Sequence, residues 1–146
     1  MEIRTATTAD VETLVPLFDG YRVFYREDSD LDGARAFLSA RLERRDSEIF
    51  VALDEGGAGL GFVQLFPSFS SVSMKDLWIL NDLFVAHEAR GKGVARALMD
   101  RARRLAVESG AKGLILETES DNVPAKRLYE DLGWTIDGTD HYQLLV

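Results

Sequence analysis

The sequence predicts an α/β domain whose elements run β-α-α-β-β-β-α-β-α-β-β, and three observations carry that prediction. Apolar residues recur at spacings of three and four over residues 11–25 and 94–107, as amphipathic helices require. Two β-rich runs flank the glycine cluster Glu55-Gly56-Gly57-Ala58-Gly59. A long apolar run then leads at once into Arg90-Gly91-Lys92-Gly93 and the best-defined helix of the chain.

Each element follows in order. A short strand is expected near Ile3 to Thr5. Val11, Leu14, Val15, Phe18, Tyr21 and Tyr25 then mark a helix behind a Thr8 cap, with Pro16 expected to bend it or shift its start. Glu27-Asp28-Ser29-Asp30 breaks the pattern, and Ala34, Phe37, Leu38 and Leu42 give a second helix. Glu48 to Leu53 and Leu60 to Phe66 read as antiparallel neighbours joined at the glycine cluster. Leu77 to Val85 is a third strand, interrupted by the polar pair Asn81-Asp82. Val94, Leu98, Ala102, Leu105 and Ala106 form one helical stripe, which Gly110 ends. Leu114 to Thr118 is a strand, and Ala125, Leu128, Tyr129 and Leu132 form a further helical stripe ending at Gly133. Trp134 to Ile136 and Tyr142 to Val146 read as the last two strands.

At 146 residues, with 46% apolar and 29% charged residues, the chain has the length and composition of one folded domain, 1–146, around one core. No repeat or linker marks an internal boundary. With no cysteine and two widely separated histidines, neither a disulfide framework nor a metal centre is expected. The 17 basic and 25 acidic residues leave a net charge of −8, which disfavours nucleic acid and favours cationic partners. No apolar run approaches the roughly 18 residues of a membrane span, so no membrane partner is expected and the cytoplasm is the expected compartment.

The segment that carries chemistry is the strand running into Arg90-Gly91-Lys92-Gly93-Val94-Ala95. A helix start of this kind offers free backbone N–H groups and the positive end of the helix dipole to an anion, and its glycines allow a phosphate to approach. A dinucleotide fingerprint would need glycine or alanine at Arg96, and a nucleoside triphosphate loop would need Ser or Thr after Lys92. Neither motif fits.

The segment does resemble the acetyl-CoA loop of the GNAT superfamily of N-acetyltransferases, Gln/Arg-x-x-Gly-x-Gly/Ala, matched by Arg90, Gly93 and Ala95. The order of elements is also similar to that family's over essentially the whole chain, and Asn122, Ala125 and Tyr129 match its second cofactor segment. The resemblance implies a mixed, mostly antiparallel central sheet flanked by helices, with acetyl-CoA as the only cofactor. It further implies that the main chain of Leu83, Phe84 and Val85 lines the pantetheine arm beside a splayed strand. Arg90, Gly91, Lys92, Gly93, Val94 and Ala95 would hold the diphosphate, with Asn122 and Ala125 contributing from the later segment. Asn122 also reads as a plain helix cap ahead of Pro124.

Direct attack of an amine on a thioester requires a neutral amine and a proton for the departing thiolate. Deprotonating an alkylamine at neutral pH costs roughly 4 to 5 kcal/mol, so a base is expected to help. Tyr129 matches the family tyrosine that acts as general acid, although it also lies on an apolar stripe. Asp82, a carboxylate inside an apolar strand, is the first candidate base, ahead of Glu117 and Glu119. The strand Leu80-Asn81-Asp82-Leu83-Phe84-Val85 is similar to that of polyamine acetyltransferases, which carry two adjacent acidic residues where this chain has Asn81 and Asp82. The acidic residues Glu27, Asp28, Asp30 and Asp32 either attract a cationic amine or form a solvated loop. His87 and His141 read as surface residues; Phe66, Phe69, Trp78 and Trp134 read as core.

The expected activity is therefore transfer of an acetyl group to a primary amine in a ternary complex, with no covalent enzyme intermediate. The acceptor would be a small cationic amine, a lysine side chain or a protein N-terminus. Two alternatives keep the fold: a non-catalytic acyl-CoA sensor, and a protein-interaction domain. A homodimer is compatible with the resemblance.

Overall fold

A computed structural model describes residues 1–146, which fall into two units, Met1–Leu116 and Glu117–Val146. In the first unit Glu2–Thr5 form strand β1 and lead into a capping box. The Thr7 hydroxyl accepts from the Ala9 N–H (3.3 Å), and the Asp10 carboxylate accepts from the Thr7 N–H (2.7 Å). The cap is thus Thr7 and not Thr8, because only Thr7 stands three residues before an acidic partner. Arg4 clamps the same carboxylate at 2.8 and 2.6 Å, which holds the Asp10 carboxyl below its ordinary range. Helix α1 (Val11–Phe24) follows and runs through Pro16. Helix α2 (Leu31–Arg44) begins where Asp30 Oδ1 accepts from the Gly33 N–H at 2.9 Å.

Strands β2 (Glu48–Leu53), β3 (Gly59–Ser70) and β4 (Lys75–Val85) continue from β1 as an antiparallel meander. Helix α3 (Val94–Glu108) then carries the chain across to β5 (Leu114–Ile115), which pairs parallel to β4. Gly110, at φ 68°, closes α3: the Ala111 N–H reaches Ala106 O (3.0 Å) and the Gly110 N–H reaches Val107 O (3.2 Å), the two bonds of a Schellman end.

The period of two along each strand decides which helix each side chain meets. Ile49, Val51, Leu53 and Phe62 join the buried cluster of Leu14, Phe18 and Leu38, so this face of the sheet takes α1 and α2. Phe50 projects oppositely, under the Arg101 guanidinium of α3 at 4.1 Å. Each fully buried Leu or Phe of this kind contributes about 1.5–3 kcal/mol.

The second unit holds helix α4 (Val123–Asp131). Asn122 Oδ1 accepts from the Ala125 N–H at 3.4 Å, and Pro124 stands in the first turn. At the other end Gly133, at φ 89°, lets the Trp134 N–H bond Tyr129 O (3.0 Å) and its own N–H bond Glu130 O (3.0 Å).

Nine of the expected elements are present in the expected order, and the last two strands are not. The Trp134 N–H is committed to ending α4, and Asp137 Oδ1 binds the Thr139 N–H at 3.1 Å in a local turn. Tyr142, Leu144, Leu145 and Val146 are exposed, with no partner strand to make their alternation a ladder. The fifth strand is likewise shorter than Leu114 to Thr118. No helix is long and apolar enough to cross a membrane.

Candidate active site

The polar interruption of β4 is a β-bulge. Gln64 pairs with Asp82 but Leu65 pairs with Leu80, so Asn81 is one residue extra on β4. Beyond it Asp82 shares a face with Phe84, two residues on, and Phe84 packs toward the core cluster of α1 and α2. Asp82 is therefore turned toward the helices, and only 2% of its surface is exposed.

A buried carboxylate must be hydrogen-bonded. The Gln64 Nε2–H donates to Asp82 Oδ2, and the Asn81 Nδ2–H donates to Oδ1 at 2.7 Å. Gln64, itself fully buried, accepts in turn from the Ser47 hydroxyl at 2.9 Å. Burial pushes the Asp82 carboxyl above its ordinary range, and bonds from Asn81, Gln64 and Tyr21 oppose part of that rise. Asp82 lines a cavity of about 390 Å³ between β3, β4 and the helices α1 and α2. A carboxylate whose pKa is raised, at a cavity wall, is a stronger proton acceptor than an ordinary one.

The second feature is an open sheet edge. The β4–β5 ladder contains only Trp78 with Leu114 and Ile79 with Ile115, so β4 has no such partner from Leu80 onward. On the other side the Ala86 N–H bonds Leu60 O at 2.8 Å. Antiparallel alternation then turns the N–H and C=O groups of Leu83 and Val85 away from β3, toward the open edge. An extended ligand can pair with them as a strand would.

That edge ends at the helix start. The Ala86 corner leads through a 3-10 turn, His87–Ala89, to Gly91 at φ 74° and Gly93 at φ 82°, where a Cβ would meet open space. Both glycines hold the left-handed backbone that other residues adopt at a penalty. No side chain caps α3 and no acidic residue occupies its first turn, so its leading N–H groups face outward. Arg90 Nε–H donates to Val85 O (3.1 Å), and Lys92 Nζ–H donates to Glu88 O (2.9 Å), which anchors two cations beside these amides. The residues present fit a diphosphate joined to a slender arm.

The first unit thus brings together Asp82, Leu83, Phe84, Val85 and Arg90 to Ala95. The second unit places Asn122, Ala125 and Tyr129 on or beside α4, with Asn122 Oδ1 engaged as the helix cap. Tyr129 and Trp134 lie with ring centroids 6.2 Å apart. Glu117 and Glu119 also lie in this unit, beyond the end of β5, and Glu117 is 3.5 Å from His141.

Sequence reasoning missed several residues. Gln64 stands in an apolar run and shows its role only through the register with Asp82. Phe66, expected as core, lines the cavity, as do Phe18, Tyr21 and Phe37. Of the loop acids only Asp30 lines it; Glu27 lies 3.8 Å from Arg22 and Asp32 lies 3.2 Å from Arg35. Asp30 differs from them as the cap of α2, which fixes it in space.

An uncapped helix start beside an open strand edge, on a sheet of this topology, defines a class of protein with room for an extended ligand that ends in an anionic group. The sequence pattern of the Acetyltransferase (GNAT) family matches residues 14–134, and the chain belongs to that family. It is 52% identical over 147 residues to the uncharacterized N-acetyltransferase YhfO of Bacillus subtilis, covering 100% of this chain and 98% of that one. It is 42% identical over 120 residues to a streptothricin acetyltransferase of Escherichia coli, covering 82% of this chain and 59% of that one. A crystal structure of a probable acetyltransferase superposes with a TM-score of 0.95 at 43% identity, covering 100% and 98% of the two chains. The chain is a GNAT-type N-acetyltransferase.

Proposed function

We propose that this enzyme transfers the acetyl group of acetyl-CoA directly to a primary amine within a ternary complex. The observation that carries the reading is the conjunction of an open β4 edge at Leu83 and Val85 with an uncapped α3 start at Gly93. Acetyl-CoA supplies the activated acyl group as a thioester. The main chain of Leu83 to Val85 orients its arm, and the amides of Gly91 to Ala95, with Arg90 and Lys92, hold its diphosphate.

The acceptor enters from the Asp82 cavity as an ammonium ion. Asp82 takes one proton, directly or through water, and the freed nitrogen attacks the acetyl carbon. The N–C bond forms as the C–S bond breaks, the thiolate departs with one proton, and one further proton is released to solvent. Tyr129 is assigned as the thiolate's proton donor, and Asn122 and Ala125 as cofactor contacts, on the family resemblance. Gln64 and Asn81 hold the Asp82 carboxylate and keep it from rotating away.

Calorimetric titration with acetyl-CoA, followed by thiol release against an amine panel, tests the reading. Micromolar binding and turnover with at least one amine are expected; streptothricin belongs in that panel. Absence of binding would contradict the assignment, whereas binding with no turnover on any amine would favour a sensor.

A further inference from the structure

The cavity in front of Asp82 specifies its occupant more narrowly than a primary amine. At about 390 Å³ it falls in the range of small-molecule sites. Its walls are the rings of Phe18, Tyr21, Phe37 and Phe66, with Phe18 and Phe37 stacked at 5.5 Å between centroids. Such rings accept methylene groups against their faces and attract cations. Its polar lining is Asp82, Gln64, Asn81, Asp30 and Arg22.

The engagement of those groups decides the charge of the ligand. The Gln64 and Asn81 amides point at Asp82. The Arg22 guanidinium donates to Asp28 O at 2.9 Å and lies 3.8 Å from the Glu27 carboxylate, so its charge is already answered by the loop. The two carboxylates have no such cation. Asp82 accepts from Gln64 and Asn81 on separate oxygens and is also bonded by Tyr21, which leaves acceptor capacity among a carboxylate's roughly four lone-pair sites.

Asp30 is the second carboxylate, on another wall, and it is rigidly placed. Its N–H donates to the buried Asp19 carboxylate at 2.8 Å, and its own Oδ1 caps α2 at the Gly33 N–H. The Ser29 hydroxyl fastens the same loop to Asp19 at 2.7 Å. The cavity is thus a hydrocarbon-compatible passage with one carboxylate on β4 and another on the α1–α2 loop, and with no uncommitted cation in its lining.

We propose that the acceptor is an aliphatic diamine: the reacting amine lies at Asp82, the methylene chain lies along the aromatic walls, and the second ammonium is held by Asp30. The proposal rests on the acetyl-transfer reading and narrows it.

Three compounds of equal chain length test it: 1,5-diaminopentane, pentylamine and 5-aminopentanoate, whose far ends are a cation, a methyl group and an anion. Calorimetry measures their binding with and without coenzyme A, and thiol release measures kcat/KM with acetyl-CoA. The diamine is expected to exceed 5-aminopentanoate about tenfold or more in both affinity and kcat/KM, because attraction at Asp30 becomes repulsion. Asp30→Asn preserves the helix cap and is expected to lower the ratio of diamine to pentylamine about three- to fivefold, the scale of a partly exposed charge pair. Equal performance by all three compounds, or an unchanged ratio in Asp30→Asn, would overturn the diamine. Failure of acetyl-CoA to bind would instead contradict the transferase reading, since the cavity's preference is measured without it.

Discussion

Strand β4 presents two environments within eleven residues. At Trp78 and Ile79 it has neighbours on both sides, β3 and β5, and Trp78 Nε1–H bonds the Ser109 hydroxyl at 2.9 Å. From Asp82 to Val85 it keeps β3 alone, carries a buried carboxylate and runs out to an uncapped helix start. One bulge at Asn81 separates them. The first half is held by its neighbours, and the second has an open edge and a buried carboxylate, with a single inserted residue between the two.

The largest expected effect lies in the second half. Asp82→Asn retains the shape and removes the carboxylate proposed as the base, and kcat is expected to fall about 10²- to 10⁴-fold. Because burial raises the Asp82 pKa, its basic form appears only above the usual carboxylate range. The wild-type rate should therefore climb with pH through an upward-displaced limb, and the variant should lack that limb. The folded chain also holds this proton more tightly than the unfolded chain, so stability declines as pH rises from about 3.9 through the raised value. Asp82→Asn flattens that slope in a pH series of thermal melts.

Next in size is the helix start. At Gly93, φ 82° imposes about 1–2 kcal/mol on a residue bearing a Cβ. Gly93→Ala is expected to raise the acetyl-CoA Kd about tenfold by calorimetry, as relief of that strain displaces the amides.

A third variant contrasts two buried carboxylates. Asp10 is paired with Arg4, and its pKa is lowered where that of Asp82 is raised. Asp10→Ala should cost about 1–2 kcal/mol in denaturant unfolding and leave kcat/KM unchanged. The Asp10 contribution is present above the ordinary carboxyl pKa and fades as pH falls through its lowered value. The smallest effect belongs to the supported half of β4: Trp78→Phe loses one hydrogen bond, about 1 kcal/mol of stability, without weakening acetyl-CoA binding.

Much of this division was legible in the residues themselves. The pair Asn81-Asp82 inside an apolar run announced a break in β4, and Arg90-Gly91-Lys92-Gly93 before a helical stripe announced the glycine turn and the start of α3. What stayed hidden depends on register and on three-dimensional enclosure. Gln64 resembles any strand residue until it lies opposite Asp82, and Phe18, Phe37 and Phe66 resemble core until the space between them is seen. Trp134 carries a strand-like pattern, yet its N–H is drawn into the end of α4 by Gly133, a local bond that periodicity does not report.

Amide hydrogen exchange with and without coenzyme A tests the central claim most directly. The account predicts new protection at Leu83, Val85 and Gly91 to Ala95, with Trp78 and Ile79 unchanged. Unaltered exchange at Leu83, Val85 and the helix start under saturating coenzyme would contradict it.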